Sequence, residues 1–169
     1  MKKTLLLLPF CGLLSACSLF RPAPQSPEEF YALGQKYEAK GHIEDYSKAV
    51  EYYEKAGMLG DAGAQAHLGQ LYAVGSLVPQ SSTAAFYWYQ KAVEQHHARA
   101  QYDLAMLFYN GSGGAEAYPS VYQWLTLAHR NGCPEALPML KKLIPQMTLQ
   151  QIQEGERLTD FFLQNHPIN

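Results

Sequence analysis

Apolar residues recur along this chain at helical spacing, in short segments separated by glycine-bearing turns. Residues 64–76 read AQAHLGQLYAVGS and residues 100–112 read AQYDLAMLFYNGS, so that Leu68 falls on Leu104, 36 positions later. Self-similarity with a period of roughly 20–50 residues is typical of proteins that stack copies of one supersecondary unit. The pattern therefore predicts an all-α repeat protein.

Each unit is predicted to be a helical hairpin. The first helix opens with the capping box SPEE at residues 26–29 and ends near Gly41. The second helix runs from about Glu44 to a stop at Gly57 and Gly60. The hairpin then recurs twice, as a helix capped by Asp61 and as helices over about 82–94, 98–109 and 119–130.

These helices divide the chain into repeat 1 (26–60), repeat 2 (61–97) and repeat 3 (98–132). Residues 133–146 hold a partial repeat 4, in which Pro138 would kink the helix unless it lies in the first turn. Residues 147–169 begin with another capping box and continue as an amphipathic helix, which we expect to cover the last open face of the stack. The predicted fold class is an α-solenoid of about three and a half helix-turn-helix repeats with a C-terminal capping helix.

Residues 1–16 are typical of a secretory signal. Two lysines precede an apolar run that is too short, and too interrupted by Pro9 and Gly12, to span a membrane. The run ends in LSAC at residues 14–17, which resembles the lipobox of bacterial lipoproteins. The resemblance implies cleavage before Cys17 and a covalent N-acyl and S-diacylglycerol lipid on that residue. The alternative is an uncleaved anchor, or a plain signal peptide with an incidental cysteine.

The residues after the cysteine predict where the protein resides. Ser18 follows Cys17, and in the Gram-negative sorting pattern that this segment resembles, a residue other than Asp implies export to the outer membrane. Residues 17–25 contain Pro22 and Pro24, which favour an extended spacer between lipid and domain. We expect a lipid-anchored outer-membrane protein that faces the periplasm.

Composition narrows the function classes. The net charge is −2, which excludes the basic excess of a nucleic-acid-binding protein. Hydrophobic residues make up 47% and charged residues 17% of the chain, enough apolar material for a packed core.

The cysteines predict no disulfide within the domain. Cys11 lies in the signal and Cys17 is the expected lipidation site, so Cys133 is left without a disulfide partner. We expect Cys133 to be a small buried residue, with a reactive or intermolecular thiol as the alternative.

The repeated residues resemble a known family. A first helix of the form Ala-Gln-x-x-Leu-Gly/Ala-x-Leu-Tyr/Phe, a glycine-bearing loop and a second helix with Ala-x-x-Trp/Tyr-Tyr-x-Lys-Ala are similar to the Sel-one-like repeat, a longer relative of the tetratricopeptide repeat. Residues 64–94 match well, residues 98–130 match moderately, and the likeness covers about 30–143. The resemblance implies a tetratricopeptide-like stack whose first helices line a concave surface.

The sequence contains no recognisable set of catalytic residues. The adjacent pair His96-His97 has no accompanying Asp or Cys at metal-ligand spacing, and the glycines around residue 113 lack the Lys-Ser/Thr of a phosphate-binding loop. His67 aligns with Asp103, so the two could share one face. We expect no enzyme, metal or small-molecule cofactor; the alternative of a hydrolase rests on disulfide-rich relatives of this repeat assigned β-lactamase activity, whose paired cysteines have no counterpart here.

Positions that vary between the first helices predict a binding surface for a peptide segment or helix. The predicted partner-binding residues on this surface are Tyr31, Gln35, Glu38, His67, Gln70, Tyr102, Asp103, Met106 and Tyr109. The sequence thus favours a protein-interaction adaptor in the cell envelope, for assembly of a pilus, secretion system or exopolysaccharide exporter. A binder of peptidoglycan or another glycan is the alternative, since the tyrosine content also suits sugars.

Overall fold

The computed structural model describes residues 24–111 and 113–167, so the signal, Cys17 and most of the linker lie outside the described residues. This part of the chain is helical and contains no strand. Its α-helices are α1 (Pro27–Glu38), α2 (Ile43–Met58), α3 (Ala62–Val74), α4 (Ser82–Glu94), α5 (Ala98–Tyr109), α6 (Tyr118–Arg130), α7 (Ala136–Leu143) and α8 (Leu149–Asn165). Helices α1 to α6 form three hairpins that pack in chain order, which confirms the predicted solenoid.

Side-chain caps fix the starts of five helices. The predicted cap Asp61 accepts a hydrogen bond from the Ala64 N–H at 2.6 Å, which satisfies one of the amides left free at a helix start. Both predicted capping boxes form, and the remaining two caps were not predicted. The capping residues are Ser26, Asp61, Ser81, His97 and Thr148.

Within a repeat, the two helices approach closely at a small residue. A Cβ added to Gly34 would lie 2.5 Å from the Tyr53 ring, and one added to Gly69 would lie 2.5 Å from the Tyr89 ring. Since Tyr53 and Tyr89 are buried, each ring fills the space that the missing side chain leaves. This shared contact aligns α1 with α3 and α2 with α4.

Buried glutamines at the start of α3 and α5 link neighbouring helices. The Gln65 Nε2 donates to the Gly57 carbonyl at 2.8 Å, and the Gln65 Oε1 accepts from the Gln95 Nε2 at 2.8 Å. One repeat later, the Asn131 Nδ2 donates to the Gln101 Oε1 at 2.9 Å. Gln65 thereby ties α3 both to the end of α2 and to the end of its own partner α4, whereas Gln101 ties α5 to the end of its own partner α6.

The expectation that Gly57 stops the second helix is wrong. Helix α2 continues to Met58, and Gly57 is buried inside it, where an added Cβ would lie 3.0 Å from the Trp88 ring and 3.2 Å from the Leu68 side chain. The glycine is needed for close approach of the next repeat, whereas Gly60, with φ +99°, adopts the left-handed conformation just after the helix.

The C-terminal helices show where Pro138 lies and what the last helix packs on. Pro138 is the third residue of α7, so it lies in the first turn, where its missing N–H breaks no helical hydrogen bond. Helix α8 packs mainly on α6 rather than on α7. Gly155 of α8 lies against Tyr122 of α6, and the helix therefore lies beside the second-helix layer instead of pairing with α7 as a fourth hairpin.

Candidate partner-binding groove

A groove of about 500 Å³ lies between the first helices of repeats 2 and 3. We call it the α3–α5 groove. Its walls mix amide, hydroxyl, charged and apolar side chains, and three predicted binding residues are among them. The lining residues are Gln70, Ala73, Val74, Gln80, Ser82, Tyr89, Arg99, Asp103, Met106, Leu107, Asn110 and Gly111.

The charged part of this groove is an ion-pair network. The Arg99 Nε donates to both carboxylate oxygens of Asp103, at 3.0 and 3.1 Å, and its Nη1 donates to the Glu135 Oε1 at 3.2 Å. The Asp103 side chain is 14% exposed and the Arg99 side chain 53% exposed. Burial raises the pKa of the Asp103 carboxyl, while Arg99 opposes that shift. The network therefore holds a half-exposed guanidinium in a fixed position at the groove.

Local sequence explains the placement of these groups. Arg99 and Asp103 are four residues apart on α5, a spacing that puts the two side chains on one helix face. Gln80 lies in the loop that follows Gly75, and its Nε2 donates to the Ala73 carbonyl at 2.9 Å, which satisfies an acceptor near the end of α3. The loop glycine, with φ +78°, lets the chain turn back against Gln80.

Three other predicted residues meet between repeats 1 and 2. The Tyr53 hydroxyl donates to the Glu38 Oε2, and the His67 Nε2 lies 3.0 Å from the same oxygen. The His67 ring packs edge-on against Tyr53 at 4.6 Å and against Tyr31 at 6.2 Å. Burial, with the hydrogen bond to Glu38, raises the pKa of Tyr53. These side chains form a bridge between two repeats, and His67 pairs with Glu38 rather than with Asp103.

The remaining predicted residues line neither of these two sites. The Arg99 guanidinium lies over the Tyr102 ring, 5.5 Å from the ring centroid, and Tyr102 contacts the core of repeat 3. Tyr109 stacks on Tyr118 at 6.4 Å and faces the C-terminal end. Gln35 is exposed on α1. The nine residues predicted as one surface are therefore distributed along the stack, and the groove itself contains Gln70, Asp103 and Met106.

Sequence reasoning missed several groove residues. Arg99 carried a usable signal, because it stands four residues before Asp103 on the same helix. Tyr89 belongs to the repeated framework, and burial raises the pKa of its hydroxyl beside Asp103 and Arg99. Within residues 24–111 and 113–167, no group of three His, Cys, Asp or Glu side chains could hold a metal ion.

Comparison with known families identifies the repeated unit. Residues 31–61, 62–97 and 98–132 each match the family model of the Sel1 repeat. The chain belongs to the Sel1 repeat family. Sel1 repeats and solved structures of this fold are typically non-catalytic scaffolds, and the repeats generally mediate protein–protein interactions.

Two known proteins are similar to the chain. The chain is 28% identical over 141 residues to the alginate biosynthesis protein AlgK of Azotobacter vinelandii, covering 81% of this chain and 30% of AlgK. It is 38% identical over 64 residues to an F-box protein of Arabidopsis thaliana, covering 38% of this chain and 18% of that protein. The chain thus spans less than a third of either relative.

A solved structure matches the fold. The crystal structure of c5321, a protective antigen of uropathogenic Escherichia coli strains with an SLR fold, superposes with a TM-score of 0.75 at 27% identity. The match covers 83% of this chain and 30% of c5321. None of the helices in the described part of the chain has the length and apolar character needed to cross a bilayer.

Proposed function

We propose that this protein is a lipid-anchored scaffold at the periplasmic side of the outer membrane, and that it binds a segment of a protein partner in the α3–α5 groove. The observation that carries the proposal is the groove, which lies between two first helices and combines a fixed cation with amides and a methionine. Its volume is within the range of about 300–1,000 Å³ that is typical of ligand-holding sites.

The chemistry of the groove suits an extended peptide. Gln70 and Asn110 offer amide donors and acceptors that match those of a peptide backbone. Met106 and Leu107 provide apolar area, and a methionine side chain adapts to different shapes. Arg99 adds a guanidinium that can pair with a carboxylate or carbonyl of the partner. The partner segment would therefore carry a small apolar side chain next to a polar or acidic one.

Two features support an envelope location and a particular machine. The lipobox-like LSAC at residues 14–17 supports a lipid on Cys17, where more than one acyl chain gives stable anchoring. The similarity to a protein named for alginate biosynthesis favours an exopolysaccharide exporter over a pilus or secretion system.

Site-specific crosslinking tests the groove. A photoreactive phenylalanine in place of Met106 should crosslink to one envelope protein in intact cells, whereas the same group in place of Tyr87, whose side chain is 53% exposed on α4, should not. Adding Asp103→Ala should reduce the Met106 crosslink at least fivefold, because the guanidinium loses its fixed position. Equal crosslinking at both sites, or labelling of glycan instead of protein, would refute the groove as the site.

Fractionation tests the anchor separately. Cys17→Ser should release the protein into the soluble periplasm, since the lipid would be lost while the domain is unchanged. A variant that still sediments with membranes would show that the lipid assignment is incorrect, without bearing on the groove.

A further inference from the structure

Each internal repeat has a surface that receives the second helix of the repeat before it. In repeat 2, the Gln65 Nε2 donates to the Gly57 carbonyl of α2, and the Tyr72 hydroxyl donates to the Glu54 Oε1 of α2 at 3.4 Å. The Trp88 ring lies against Gly57. Three positions therefore define how one repeat docks on the preceding second helix.

The same three positions in repeat 1 are aromatic. Because Gly34 and Gly69 both lie under a tyrosine ring, α1 and α3 align with an offset of 35, and the shared tyrosines align α2 and α4 with an offset of 36. Repeat 1 thus has three partly exposed rings where repeat 2 has its docking residues. We call these rings the N-terminal face. Phe30 stands at the position of Gln65, Tyr37 at the position of Tyr72 and Tyr52 at the position of Trp88.

The three rings form one stacked surface. Phe30 and Tyr52 stack with centroids 6.2 Å apart, and Tyr52 and Tyr37 stack at 5.5 Å. Tyrosine rings of this kind can bury their faces against a partner while the hydroxyl stays hydrogen-bonded. Phe30 also replaces the glutamine that ties repeat 2 to α2, so this face offers apolar area where repeat 2 offers a polar link.

Lysines surround the N-terminal face. The Lys40 and Lys48 ammonium groups lie over the Tyr37 ring, 4.1 and 5.5 Å from its centroid, and Lys55 lies 5.5 Å from the Tyr52 centroid. Lys40 pairs with Asp45 at 3.3 Å and Lys55 with Glu51 at 2.6 Å. Within the described residues Lys48 forms no ion pair, so its ammonium is available to a carboxylate of a partner.

We propose that the N-terminal face docks an acidic amphipathic helix of a protein partner, held as the second helix of an upstream repeat would be. Helix α2, which repeat 2 receives in this way, is itself acidic: four carboxylates (Glu44, Asp45, Glu51, Glu54) against two lysines (Lys48, Lys55) give −2. On the N-terminal face, Tyr37 would donate to a partner carboxylate as Tyr72 donates to Glu54, and Lys48 would pair with a second one. This site is separate from the α3–α5 groove.

A replica of α2 is a direct probe. The full chain carrying Cys17→Ser, labelled with ¹⁵N, would be titrated with a synthetic peptide of residues 43–59, and amide shift changes followed by NMR. We expect the largest changes at Phe30, Tyr37 and Tyr52. Lys48→Glu should weaken peptide binding at least tenfold. Lys91→Glu is the matched control, because Lys91 lies over the Tyr87 ring at 5.0 Å on α4 and should leave binding unchanged.

Four results would overturn this inference. An absence of shift changes at the N-terminal face, or equal weakening of peptide binding by both lysine variants, would show that this face does not bind the helix. A dimer in light scattering that Tyr37→Ser dissociates would make a second copy the occupant. Sedimentation with phosphatidylethanolamine–phosphatidylglycerol vesicles that Lys48→Glu abolishes would make the membrane surface the occupant. Crosslinking at Met106 is unaffected in each case, so these outcomes are distinguishable from failure of the groove.

Discussion

The contact between Gly69 and Tyr89 allows a quantitative test of how repeats are packed. Replacing Gly69 by Ala places a Cβ 2.5, 2.6 and 2.9 Å from three Tyr89 ring atoms, where ordinary contacts lie beyond 3.4 Å. The ring is 2% exposed, so it cannot move into solvent to relieve the clash. Repeat 3 has a different pair at the same two positions, Ala105 and Leu125, both fully buried.

Two opposing effects set the change in the free energy of unfolding that Gly69→Ala causes. Overpacking a core costs about 1–3 kcal/mol, and a displacement of nearly 1 Å against a buried ring belongs in the upper half of that range. Alanine in a helix interior is favoured over glycine by about 1 kcal/mol. Gly69→Ala should therefore destabilise the wild-type chain by about 1–2 kcal/mol. In a Tyr89→Leu background the clash is gone, and the same change should stabilise by about 0.5–1 kcal/mol.

A double-mutant cycle measures the coupling between the two sites. Urea unfolding of the Cys17→Ser protein and its variants, followed by circular dichroism at constant m-value, gives each free energy of unfolding. We expect a coupling of about 2 kcal/mol, with the double variant resembling the pair in repeat 3. If Gly69→Ala had the same effect in both backgrounds, the ring contact would not be what requires glycine, and the close-approach argument would fail.

Two further predictions concern the adjacent histidines. The His97 Nδ1 accepts the Ala100 N–H at 3.2 Å, and burial lowers the pKa of His97, so the neutral ring is the form that caps α5. The cap contributes its full stability above the unfolded pKa of about 6.5, and this contribution is lost as pH falls through the lower folded pKa, at a cost of about 1 kcal/mol. The urea midpoint of the wild-type protein should therefore be lower at pH 5 than at pH 7, and this difference should be smaller in His97→Asp. An equal difference in the variant would contradict the assignment of the cap. His96 has φ +58° and a buried Nδ1 without a partner in the described residues, at the position where the neighbouring repeats have Gly60 and Gly132. His96→Gly should therefore stabilise the protein by about 1 kcal/mol in urea unfolding. A less stable variant would contradict this prediction and would show that the contact of the His96 ring with Phe162, at 5.8 Å, matters more than the backbone strain.

The sequence by itself determined the repeat, its period and most helix starts. These features depend on residues within a few positions of one another: the caps Asp61 and Thr148 act on amides three residues ahead, and the apolar spacing shows which helix face is buried. The sequence also showed the framework glycines. It led to Gly57 being interpreted as a helix stop, because glycine serves both close helix approach and helix termination.

The tertiary structure alone decided which side chains meet across repeats. His67 pairs with Glu38 of repeat 1, Arg99 pairs with Glu135 beyond repeat 3, and α8 packs on α6 instead of α7. An amphipathic stripe specifies that a helix buries one face, but several grooves in a stack of similar helices can accept it. Partners that are 29 or more residues apart, as His67 and Glu38 are, are set by how the hairpins are offset along the stack, and that offset depends on the packing of all their interfaces together.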